Sequence, residues 1–165
     1  MTCSEIYHSR YNNFRTGLSI EPKFIDASCS NDLNGVTFAF VCVDKGSSRA
    51  SVFDLLISNG IPFIDVGMGL NRKMGPLNGQ LRATYYSSEY GQSVRDKNLA
   101  PLVDGPDDIY KTNIQIGELN ALNACLAVMK FKQLRGFYFE ETPYHHLIFE
   151  VGDLRIVGES DTDED

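Results

Sequence analysis

Nothing in this 165-residue chain approaches the roughly 18 consecutive apolar residues that a membrane-spanning helix needs. The opening Met-Thr-Cys-Ser-Glu-Ile-Tyr-His has neither the basic nor the apolar region of a secretory signal. A cytoplasmic location with no membrane partner is therefore expected. Basic residues are in the minority, 15 against 22 acidic, for a formal net charge of −7. No basic face is apparent, so a nucleic-acid partner is not expected either. Five of the acids fall in Glu159–Asp165, which reads as a disordered, solubilising tail and makes the charge excess local. The four cysteines, Cys3, Cys29, Cys42 and Cys125, form no Cys-x-x-Cys pair, and only three histidines are present. A structural zinc site is not expected from so sparse a set. Cys42 and Cys125 sit in apolar runs and read as small buried residues. His145 and His146 are adjacent in an expected strand, where they point to opposite faces and cannot chelate one metal together.

What is present is an ordinary globular composition, 42% hydrophobic and 22% charged, enough for one domain over residues 1–158 followed by the tail 159–165. Its clearest signal lies between Val36 and Val66. Val36-Thr37-Phe38-Ala39-Phe40-Val41-Cys42-Val43 is an almost unbroken apolar run, the pattern of a strand covered on both faces. Asp44-Lys45-Gly46 breaks it, and Ser47 or Ser48 can cap the helix that follows. That helix carries Val52, Phe53, Leu55 and Leu56 on one stripe and stops at Asn59-Gly60. Ile61-Pro62-Phe63-Ile64-Asp65-Val66 is a second apolar strand. Strand, helix and strand over this span predict a parallel βαβ crossover, and with it an α/β fold built on a partial Rossmann-like sheet.

The flanking segments read less sharply. Residues 3–14 predict a short helix, Leu18 to Asp26 an extended stretch, and Ser28 to Gly35 a loop. Gly67, Gly69, Gly75 and Gly79 suggest a flexible connection, followed by a strand over Gln80–Tyr86 and a long polar loop over Ser87–Ile109. Thr112-Asn113-Ile114-Gln115 has the spacing of a capping box, opening a long helix over Asn113–Arg135 that Gly136 can terminate. Strands are expected at Phe137–Phe139, His146–Val151 and Leu154–Val157, with a tight turn at Gly152-Asp153. The additional strands are thus mixed or antiparallel.

Asp44 is the first candidate for chemistry. Ligands of open α/β sheets collect beyond the carboxyl ends of the strands, where a carboxylate can hold Mg²⁺ on a nucleotide. The same residue could instead cap the following helix, whose positive dipole end favours an acid.

The segment Phe40 to Arg49 resembles the Cys-Thr-Asp-Asn-x-x-x-Arg segment of the ThiF/MoeB family, the ubiquitin-activating-enzyme-like adenylyltransferases. Gly60-Ile61-Pro62-Phe63-Ile64 is similar to the family's entry into its next strand. Gly79-Gln80-Leu81-Arg82-Ala83-Thr84 is similar to its glycine-led strand, and Asn113 to Ala124 to its late helix. In family order these cover roughly residues 36–136. The resemblance implies ATP-dependent adenylation of the C-terminal glycine of a ubiquitin-like or sulfur-carrier protein. It makes Asp44 the catalytic, Mg²⁺-positioning aspartate on ATP, and Arg49 either a second cofactor-binding residue or a structural partner of a carboxylate near the strand ends.

Other family features have no counterpart. The family's Gly-x-Gly-Gly-x-Gly turn, its ribose-binding acid and its Asn/Arg pair are not in the sequence, whose first glycine is Gly17. The start resembles instead the stretch after them, where the family carries a phosphate-binding lysine close to Cys3. The expected polar loop lacks a transthiolating cysteine, and Cys125 reads as packing. Two functional expectations result. One is the C-terminal portion of a ThiF-like adenylyltransferase, not active alone and completed by a homodimer or by a chain supplying the N-terminal half. The alternative is a non-catalytic, truncated or degenerate relative that acts as an interaction or dimerisation module.

Overall fold

The computed structural model describes residues 3–72, 75–104 and 116–160. In chain order its elements are α1 (Cys3–Tyr11), a 3₁₀ helix (Ala27–Leu33), β1 (Ala39–Val41), α2 (Gly46–Ser58), β2 (Phe63–Asn71) and β3 (Asn78–Tyr86). After these come α3 (Gly91–Asp96), α4 (Gly117–Leu134), β4 (Tyr144–Glu150) and β5 (Arg155–Ser160). The five strands form one mixed sheet in the order β1-β2-β3-β4-β5. β1 runs parallel to β2, in register Ala39 with Phe63 and Val41 with Asp65, and every other pair is antiparallel. The chain is therefore α/β, with a single parallel pair joined through α2. No helix among the described residues is long and apolar enough to cross a membrane.

Alternation along β2 and β3 distributes the core over two faces. Phe63 and Tyr86 stand opposite each other on the α2 face, their rings stacked at 4.5 Å, with Phe53 of α2 closing the cluster at 4.9 and 4.7 Å. Val41, Leu56, Ile61, Val94 and Ala100 fill in around them. On the opposite face Ile64 and Ala83 pack with Ala127 of α4, backed by Phe38, Val66 and Phe131. Helix ends follow the sequence signals. Asn59 donates from Nδ2 to Leu55 O, and Gly60 takes a left-handed φ of +63°. At the end of α4, Gly136 has φ +70°, and the amides of Gly136 and Phe137 close back on Gln133 O and Lys132 O, each at 2.8 Å.

Several expectations are corrected. The expected eight-residue strand pairs only over Ala39–Val41, and Phe40 remains exposed. β1 is the edge strand, and no other described strand covers its outer side. Gly67, Gly69 and Gly79 do not form a flexible connection but lie within strands. β2 pairs with β3 continuously from Phe63–Tyr86 to Asn71–Asn78. A Cβ on Gly67 would stand 2.5 Å from Arg82 Nη2, so glycine here makes room for a side chain crossing from the neighbouring strand.

Ser28–Gly35 contains a 3₁₀ helix because Asp26 Oδ1 caps it, accepting from the Ser28 amide at 2.9 Å. The polar loop after Tyr86 contains α3, while its residues 105–109 lie outside the described ones, as does the capping box at 112–115. Leu18–Asp26 carry no regular element, and the strand expected over Phe137–Phe139 does not form. The latter follow the α4 cap directly, and Lys132 Nζ lies 4.8 Å from the Phe137 ring centroid. Glu159 pairs with His146 inside β5, so residues 159 and 160 of the expected tail belong to the sheet, while 161–165 lie outside the described residues.

Candidate functional site

β1 stops at Val41 while β2 continues to Asn71, so the carboxyl end of the parallel pair opens into a step. A pocket of about 370 Å³ occupies it. Cys42, Val43 and Asp44 leave β1 along one side, Val66 to Gly69 of β2 form the floor, and Asn120 and Asn123 of α4 stand opposite. Gln80, Arg82, Arg49 and Pro101 complete the lining.

Asp44 is exposed at this rim, and its carboxylate has no hydrogen bond or ion pair among the described residues. It does not cap α2. That position is taken by Asp104, whose Oδ1 accepts from the Ser47 amide at 3.0 Å and whose Oδ2 accepts from Ser47 Oγ at 2.6 Å. The two Ser47 bonds hold the Asp104 carboxyl below its ordinary value. Neither Ser47 nor Ser48 caps the helix with its own side chain: the N-cap position is Lys45, without a side-chain bond. Gly46 permits the arrangement, because a Cβ there would collide with the Val103 backbone.

Arg49 is buried, 4% exposed, and its guanidinium is fully engaged. It donates from Nε to Asp65 Oδ1 at 2.9 Å, from Nη1 to Pro101 O at 3.1 Å, and from Nη2 to Val43 O. The structure therefore places it as the partner of a carboxylate. Through Val43 it also fixes the peptide that precedes Asp44.

Asp65, the carboxylate in question, is wholly buried, with Arg82 Nη2 2.6 Å from its other oxygen. Burial pushes its carboxyl up, while Arg82 and Arg49 pull it back down. Two guanidiniums that cannot shed their protons keep it ionised at neutral pH. Arg82 further donates from Nη1 to Leu99 O at 3.0 Å, so the triad ties α2, β2, β3 and the 99–101 segment together. Beyond it, Thr84 Oγ1 meets His146 Nδ1 at 2.8 Å, and burial, with Arg82 and His145 nearby, lowers the His146 pKa against the opposing charge of Glu159.

Sequence reasoning brought Asp44 and Arg49 to this place but missed Asp65, Arg82, Asn123 and Asp104. A signal for the first was available: Asp65 is the one charge in the apolar run Ile61–Val66, and a charge in a doubly covered strand needs a partner. Asn123 donates from Nδ2 to Gly67 O at 3.0 Å, while its Oδ1 is buried without a donor among the described residues.

Two cysteine expectations are corrected, since Cys42 and Cys125 are exposed, while Cys29 is buried. Cys42 lines the pocket, and desolvation and the charge of Asp65 push its thiol pKa up, which disfavours the nucleophilic thiolate. Both histidines of the pair are buried. Among the described residues no group of three or more His, Cys, Asp or Glu could hold a metal ion. A single carboxylate such as Asp44 would ligate Mg²⁺ only where phosphates supply other ligands. Phosphates do not find their usual place at the N-terminus of α2, because the Asp104 carboxylate already occupies it. No family model matches the chain, and no curated protein matches it.

Proposed function

We propose that this chain contributes the carboxyl-terminal portion of a ThiF-like adenylylating site, in a cytoplasmic enzyme that activates the C-terminal glycine of a ubiquitin-like or sulfur-carrier protein. In this reading β1, α2 and β2 are part of a Rossmann-like sheet. The observation that carries it is the Asp44 carboxylate, without a partner among the described residues, just beyond the carboxyl end of β1, beside a pocket, on a turn that Arg49 holds through Val43 O. A carboxylate at such a position binds ligand rather than stabilising the fold, because the helix cap it could have made is supplied by Asp104.

Asp44 would hold Mg²⁺ on ATP, and the metal would offset charge developing on the phosphate as pyrophosphate leaves. Arg49 positions Asp44 without touching the nucleotide. The Asp65–Arg82 pair keeps Arg49 in place. The groups that cradle the phosphates are not among those described in this chain, and in this reading a glycine-rich turn elsewhere in the assembly supplies them. The alternative of a non-catalytic interaction module draws on a different feature, an apolar groove beside β1 that includes the exposed Phe24 and Phe40.

Asp44→Ala separates the two. In the assembly recovered with this chain from its own cells, ATP–pyrophosphate exchange should fall by about 10²-fold or more, the scale of losing one preorganised charge contact. Exchange that survives Asp44→Ala unchanged would remove Asp44 from the site.

A further inference from the structure

The edge of the sheet farthest from β1 is β5, and no other described strand covers its outer side. The Val151 amide donates to Gly79 O of β3, so alternation turns the backbone groups of Ile148 and Glu150 toward β5. Their partners Val157 and Arg155 therefore bond inward, and the N–H and C=O groups of Ile156 and Gly158 point out of the sheet. Open edges are ordinarily protected by a proline, a lysine or a bulge, or by being very short. Arg155–Glu159 holds no proline and no lysine, and the irregularity in its pairing falls only between Glu159 and Ser160. Ile156 and Val157, 55% and 40% exposed, stand on its two faces.

We propose that β5 is the interface with a second copy of this chain, the two strands pairing antiparallel about a two-fold axis at Val157 and joining their sheets edge to edge. The segment Arg155-Ile156-Val157-Gly158-Glu159 is self-complementary in that register. Ile156 of one copy exchanges main-chain hydrogen bonds with Gly158 of the other, twice, using the outward groups. Arg155 stands opposite Glu159 of the second copy, also twice, in the closely spaced pairs where opposite charges are favourable. The registers on either side that also use the outward groups set Val157 against one of these charged residues instead of against its own copy. Arg155 keeps its bonds to Glu150 Oε2, at 2.8 and 3.1 Å, so its guanidinium lies between two carboxylates. On the other face a Cβ on Gly158 would collide with the Tyr144 ring, so that ring covers the glycine and meets Ile156 of the second copy. The dimer forms at the opposite edge of the sheet from β1 and does not depend on what the Asp44 pocket binds.

The test is sedimentation equilibrium on the 165-residue chain from low to high micromolar concentration, beside Arg155→Glu, Glu159→Arg and an equal mixture of the two variants. The wild type should dimerise. Each variant alone sets like charges opposite each other twice and should dimerise about tenfold more weakly or worse. The mixture restores both opposite-charge contacts and should return to near the wild-type affinity, which loss of folding in either variant could not produce. Amide hydrogen exchange of the wild type gives a reading that needs no variant. The outward amides of Ile156 and Gly158 should exchange faster on dilution, while that of Val157, bonded to β4, should change less. The proposal is overturned by a wild type that stays monomeric, by Ile156 and Gly158 amides indifferent to concentration, by variants that dimerise like the wild type, or by a mixture of folded variants no tighter than its components.

Discussion

At the residue scale, the ion triad decides most. Asp65 lies wholly buried between two guanidiniums, and neither Arg49 nor Arg82 can neutralise itself by losing a proton. Asp65→Asn keeps the shape and removes the charge, leaving two buried cations uncompensated. Urea unfolding of this variant should show a loss of about 3–5 kcal/mol, as for other buried pairs that lose one partner. A loss under about 1 kcal/mol would mean that the pair is screened like a surface contact. What the sequence showed at this scale was the type and spacing of Asp44 and Arg49. It did not show which carboxylate Arg49 meets, because Asp65 is 16 residues away and is brought to it by the parallel register. Arg82 was harder still to find. Its pairing depends on Gly67 opposite it, and a strand glycine viewed alone reads as flexibility.

At the element scale, the apolar runs and helix stops were legible because local periodicity encodes them. Phe53, Leu55 and Leu56 are buried where the stripe on α2 put them, and Gly60 ends that helix. The capping of its first turn was not legible, since Asp104 is 57 residues from Ser47. Asp104→Ala should therefore speed hydrogen exchange at the first turn of α2 while the second half of the helix stays protected. The Asp104 carboxyl titrates below the ordinary 3.8 in the folded chain. Its contribution is complete above that ordinary value and is lost as pH falls through the lower folded one. Unchanged exchange at Ser47 and Ser48 in the variant would show that the cap contributes nothing to order. The extent of β2 was misjudged for a related reason: antiparallel pairing with β3 overrides the glycines at 67 and 69 along its whole length.

At the scale of the whole molecule, the parallel pair sits at the edge of a sheet that is otherwise antiparallel. Parallel strands are ordinarily covered on both faces and flanked on both sides. Here β1 has an unpaired outer edge among the described residues, with the apolar groove lined by Phe24, Phe40 and Leu33 beside it. Among the described residues that side shows no phosphate-binding turn, and the N-terminus of α2 is filled by the chain's own Asp104. On the proposed reading, one carboxylate without a phosphate cradle does not make an adenylating site, since a displacement of about 1 Å can already cost 10²-fold in rate. The direct measurement is ATP–pyrophosphate exchange on the purified 165-residue chain, with carrier protein added, beside the assembly in which it is found in its own cells. The expected result is no exchange by the chain alone and Mg²⁺-dependent exchange by the assembly. Exchange catalysed by the isolated chain would contradict a site shared between polypeptides.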